Sequence, residues 1–77
     1  MELHILETVV LKRDIIEAWL REGDLGTVVE VYPDGGCEVE FVRASGATQA
    51  LLTLNQDDVR KVDADDLLST RRLARIP

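Results

Sequence analysis

Between Thr27 and Phe41 the chain reads Thr-Val-Val-Glu-Val-Tyr, then Pro-Asp-Gly-Gly, then Cys-Glu-Val-Glu-Phe. The first stretch is β-branched and aromatic, and the last alternates apolar with acidic residues, the pattern of strands with one buried face. A hairpin is therefore expected, and its register can be argued from parity. For Val29 and Val31 to share a face with Cys37, Val39 and Phe41, the connecting loop must hold an odd number of residues. A loop of three fits, with Pro33 and Asp34 in a type I turn and Gly35 as the left-handed residue of a bulge. This pairs Tyr32 with Gly36, Val31 with Cys37, Glu30 with Glu38 and Val29 with Val39.

The next strand, Thr48 to Leu54, places Ala50, Leu52 and Leu54 on one face. Facing Phe41 and Val39 with that set requires an even loop, either Ser45-Gly46 alone or the four residues from Ala44 to Ala47. Thr8 to Lys12 reads as an earlier strand, Asn55 to Asp58 as a tight turn, and Val59 to Val62 as a last short strand. Asp14 to Glu22 has helical composition but meets Gly23, which leaves one helical turn within a long loop and a fuller helix both open. Five short strands, a long first loop and a tight turn before the last strand describe a mainly β chain folded as a small SH3-like barrel, feasible at roughly 60 residues. That fills residues 1–62. Residues 63–77 form a separate tail with three Asp followed by three Arg, a charge order suited to a short helix. Its Leu67, Leu68, Leu73 and Ile76 do not share one helical face, so a disordered tail is the alternative.

The run Gly23-Asp24-Leu25-Gly26-Thr27-Val28-Val29-Glu30-Val31-Tyr32, with Val39-Glu40-Phe41 downstream, resembles the small bacterial proteins of the domain-of-unknown-function family 4926. The likeness runs from about Leu6 to Val62. The shorter pattern Gly-x-x-Gly-x-Val-x-x-Val also resembles the KOW motif of ribosome- and transcription-associated domains. Both resemblances imply an SH3-like barrel, and neither implies a catalytic activity. Read physically, Gly23 supplies a positive φ, Asp24 bonds back to the amides of its own loop, and Gly26 allows a bulge or a close approach where the strand enters.

Candidate chemistry is sparse. His4 is the only histidine and Cys37 the only cysteine, so no disulfide and no His or Cys metal set can form within the chain. Cys37 falls on the inward face and is expected to be an inert buried thiol. No catalytic residue, cofactor or metal is implied. The register does put Glu30 opposite Glu38 with Glu40 two residues along, and facing like charges are destabilising. Lys12, Arg60 and Lys61, or Arg71, Arg72 and Arg75 of the tail, are the expected intramolecular counter-charges; a basic partner is the other. Trp19 either plugs one end of the barrel together with Ile15, Ile16 and Leu20, the favoured reading, or is exposed as a recognition aromatic, and Tyr32 at the hairpin tip is open to recognition.

The net charge of −6 disfavours phosphate backbones, the apolar runs are too short to span a bilayer, and no signal peptide is evident, so a cytoplasmic protein is expected. These features lead to a non-enzymatic interaction module, an antitoxin-like or accessory subunit, that binds a more basic protein through Tyr32, Glu30, Glu38 and Glu40 and through Leu67, Leu68, Arg71 and Arg72 of the tail. The alternative is a KOW-like RNA- or ribosome-associated domain using Lys12, Arg13, Arg60 and Lys61. An exposed edge strand leaves self-association open as well.

Overall fold

The structure is a computed structural model, and it describes residues 1–73. Arg75 and Ile76, assigned above to the tail, lie outside the described residues. Five strands, β1 (Thr8–Leu11), β2 (Leu25–Val31), β3 (Gly36–Val42), β4 (Thr48–Asn55) and β5 (Val59–Lys61), form one antiparallel sheet in the order β4-β3-β2-β1-β5. Its two edges, β4 and β5, are not hydrogen-bonded to each other. β5 is three residues long and spends its pairing on β1, with Val9 opposite Lys61 and Leu11 opposite Val59. No helix among the described residues is long and apolar enough to cross a membrane.

Both hairpins turn through three residues closed by a glycine at positive φ, Gly35 at 91° and Gly46 at 93°. At the first, Tyr32 N–H donates to Gly36 O at 2.8 Å, and Val31 and Glu30 face Cys37 and Glu38 as parity predicts. Val29 does not face Val39. The register shifts there, so that Val28 takes the position opposite Val39 and Val29 is the extra residue of a bulge. The cause lies on the far side of β2: Val28 N–H donates to Glu7 O at 2.9 Å and Val28 O accepts from Leu6 N–H at 2.6 Å. With the ladder fixed on Val28, its side chain turns inward and is fully buried.

The second hairpin corrects the even loop. Arg43 N–H donates to Ala47 O at 2.9 Å, which leaves Ala44, Ser45 and Gly46 as the loop. A three-residue loop alone would turn the wrong face of β4 inward, but a register shift between Phe41 and Val42 absorbs one residue of β4. Beyond it Phe41, Val39 and Cys37 face Ala50, Leu52 and Leu54, as the hydrophobic pattern demands.

The core is one cluster of Val9, Leu11, Val28, Cys37, Val39, Phe41, Leu54 and Val59, closed by Ile15 and Leu20 from the β1–β2 loop and by Leu3 from the N-terminal segment. Within the loop, Ile15 and Leu20 exchange backbone hydrogen bonds at 3.0 Å around a single 3-10 turn, Ile16–Ala18. That tight closure buries Ile15 and Leu20 as predicted but throws Ile16 outward, 80% exposed, and leaves Trp19 half-exposed at φ 62°. The core is therefore covered on this side by Ile15, Leu20 and Leu3. A second 3-10 turn, Gln56–Asp58, leads into β5 behind a capping box in which Asn55 and Asp58 satisfy each other's backbone amides.

Candidate functional site

Glu38 and Glu40 alternate with the buried Cys37, Val39 and Phe41, so they stand on the outer face of β3, and Glu30 of β2 pairs directly with Glu38. Among the described residues, none of the predicted counter-charges forms an ion pair with them. Arg60 grips Asp66 through bonds of 2.8 and 3.0 Å, Lys61 pairs with Glu7 at 3.3 Å, and Arg71 pairs with Asp24. What meets the carboxylates is hydroxyl: Thr53 Oγ1 donates to Glu38, and Thr48 Oγ1 donates to Glu40 at 2.7 Å. A hydroxyl satisfies an acceptor without cancelling its charge. Among the described residues no ion pair involves Glu30, Glu38 or Glu40.

Tyr32 continues this face at the hairpin tip, its ring beside Gly36, and it is 38% exposed. Burial raises its phenol above the ordinary value, and the charges of Glu38, Glu30 and Asp34 push the same way. Alongside the carboxylates, on β4, Leu51 sits opposite Glu40 and is 57% exposed, and the exposed Val42 follows Glu40 at the other end. The arrangement is an acidic stripe with an aromatic at one end, an aliphatic side chain at the other and Leu51 beside it. It has the charge, apolar contacts and acceptors that a basic polypeptide needs. Relieving the repulsion within it should stabilise the fold: Glu30→Gln is expected to raise stability by about 0.2–1 kcal/mol. Urea unfolding at low salt would read this, with the gain shrinking as salt is added.

The tail is neither helical nor detached through Leu73. Asp63 and Asp66 close a turn in which Asp63 N–H and Arg60 both bond the Asp66 carboxylate. Those bonds, Arg60 first, hold the Asp66 carboxyl down at about 2. The chain then runs without regular structure to Arg71, whose guanidinium makes two bonds to Asp24, at 2.8 and 2.5 Å, and one to Trp19 O at 3.0 Å. Leucines that share no helical face give a helix nothing to bury, whereas one arginine fork finds a matching carboxylate. Arg71 is thus engaged within the chain, joining the tail to the β1–β2 loop. Leu67 and Leu68 remain exposed at 90% and 64%. Arg72 joins Trp19, Leu25, Val42 and Arg43 along an open groove of about 530 Å³ between the β1–β2 loop and the tail.

The remaining reactive groups are unassisted. Cys37 is fully buried, and burial raises its thiol above the ordinary value. His4 is exposed and uses its backbone N–H, bonded to Glu7 at 3.0 Å. Among the described residues no three His, Cys, Asp or Glu side chains converge as a metal-ligand set. The Thr–Glu pairs carry one sequence signal, since either even loop would set Thr53 opposite Glu38, as the structure does.

Residues 5–61 match the family model described as a domain of unknown function, DUF4926, and the chain belongs to that family. No curated protein and no solved structure matches it.

Proposed function

We propose that this family member is a non-enzymatic interaction module that binds a basic protein partner through the outer face bearing Glu30, Glu38, Glu40 and Tyr32. One observation carries the reading: three carboxylates share a sheet face while Arg60, Lys61 and Arg71, three of the cations expected to neutralise them, are engaged elsewhere. A partner supplying lysines or arginines would relieve a repulsion the fold leaves standing, and the acidic field would speed and orient the encounter. An antitoxin-like or accessory subunit would have this form. The strand order, the long β1–β2 loop and the 3-10 turn before β5 support reading the sheet as the wall of a small SH3-like barrel. The nucleic-acid alternative has less support, because Arg13, Arg60 and Lys61 are held by Asp58, Asp66 and Glu7.

The test is retention of a discrete basic protein by the tagged full chain expressed in its native host. The triple variant Glu30→Gln, Glu38→Gln, Glu40→Gln should fold and lose most of that partner. Equal recovery by both proteins, or recovery of no partner in mild salt, would overturn the reading.

A further inference from the structure

The two edges of the sheet are defended very differently. β5 offers three residues, two of them Arg60 and Lys61, and ends in the turn that Asp66 locks. Short, charged edges resist the addition of another strand. β4 offers eight residues, Thr-Gln-Ala-Leu-Leu-Thr-Leu-Asn, with no charge and no proline. Among the described residues, no backbone hydrogen bond ties Thr48 to Leu54 to any segment other than β3. At its turnward end the Gln49 side chain donates to Ala18 O at 3.2 Å.

The acidic stripe leans toward this same edge. Because Glu40 and Glu38 accept from Thr48 and Thr53, their carboxylates lie over β4, with Leu51 exposed between them. A strand added beside β4 would run roughly 4.8 Å away, within reach of a lysine side chain. Its outer face would meet, in order, a carboxylate, an apolar side chain and a carboxylate. We infer that the partner docks by strand addition, an extended segment with a basic, apolar, basic pattern at alternate positions pairing with β4. The inference rests on the proposed binding of a basic protein and names how it occurs. Charge complementarity selects this occupant over a second copy of the chain, since two copies would each bring a net charge of −6.

The probe is the peptide acetyl-Ser-Lys-Thr-Val-Thr-Lys-Ser-amide, titrated at low salt against the full chain. Two further peptides carry N-methyl groups on one or the other set of alternate amides. Strand addition predicts that one methylated set loses binding and the other keeps it, because alternate amides of a strand point to opposite sides. It also predicts slowed exchange of those amides between Ala50 and Thr53 that point away from β3. Glu38→Gln with Glu40→Gln should weaken the parent peptide by about tenfold. Equal binding of both methylated sets, with the charge effect retained, would overturn strand addition and leave the acidic-face reading intact. Loss of the charge effect would overturn both. No binding at millimolar peptide would overturn strand addition, as would exchange protection of β4 that rises with protein concentration alone, which would identify a second copy as the occupant.

Discussion

Gly26→Ala is expected to destabilise the fold by about 1–3 kcal/mol, although it adds a single methyl group at a position with ordinary strand geometry. Gly26 lies in β2 opposite Val9, and its open side faces β3 side chains. A Cβ there would sit 2.5 Å from Val39 Cγ1 and 2.9 Å from Phe41 Cε1. Neither neighbour can yield cheaply, since Val39 is fully buried and Phe41 is 2% exposed, the only aromatic ring in the core. Close-packed interiors transmit such an overlap into strained rotamers or backbone shifts. Val39→Ala removes the nearer obstacle at the cost of a cavity. In combination with Gly26→Ala it should therefore cost less than the two changes summed, by roughly 0.5–3 kcal/mol. Urea unfolding of the four proteins measures this coupling. A Gly26→Ala protein within about 0.5 kcal/mol of the parent would show that the core has slack at this point.

The same glycine illustrates what sequence reasoning reached. A strand entry with Gly23-Asp-Leu-Gly26 announced a backbone constraint, and both parts hold: Gly23 sits at φ 95°, and Gly26 admits no side chain. The Glu30–Glu38 pairing was legible because loop parity and an inward face determine register locally. Val29 was misplaced because the N-terminal segment decides which residue of β2 carries the ladder, and nothing near Val29 encodes the bonds from Leu6 and Glu7. The second hairpin shows a related limit. Face alternation correctly set Ala50, Leu52 and Leu54 against Phe41 and Val39, yet it could not separate an even loop from a three-residue loop followed by a bulge. Side chains that close long loops were least legible. Arg71 and Asp24 are 47 positions apart, and neither residue's neighbours signal the other. The candidate stripe itself was readable as charge on one strand face. The engagement of Arg60, Lys61 and Arg71 elsewhere was not, because it depended on where those cations found carboxylates.

Asp24→Ala should release two structures at once. The Asp24 carboxylate accepts the Arg21 N–H at 2.7 Å, which braces the end of the β1–β2 loop, and it accepts both bonds of the Arg71 fork, which hold the tail. Burial by itself would raise this carboxyl; the Arg71 and Arg21 hydrogen bonds and charges outweigh it and leave the group below its ordinary value. A carboxyl lowered by folding contributes stability that is present above its unfolded value, near 4, and is lost as pH falls through the folded value. Acid should therefore loosen the tail before it disturbs the core. Loss of charged hydrogen bonds at a partly exposed carboxylate places the cost of Asp24→Ala at about 1–3 kcal/mol at neutral pH. Arg71→Ala should cost less, because the Arg21 N–H keeps its acceptor, and the double variant should resemble Asp24→Ala alone. Trp19 is the natural reporter, since its carbonyl accepts from Arg71 and its ring borders the groove along the tail. Its fluorescence should shift in both single variants at pH 7, and in the parent as pH falls below about 4. If the two single variants unfold additively, or if the parent's Trp19 signal follows only global unfolding, the Arg71–Asp24 clamp does not hold the tail in solution.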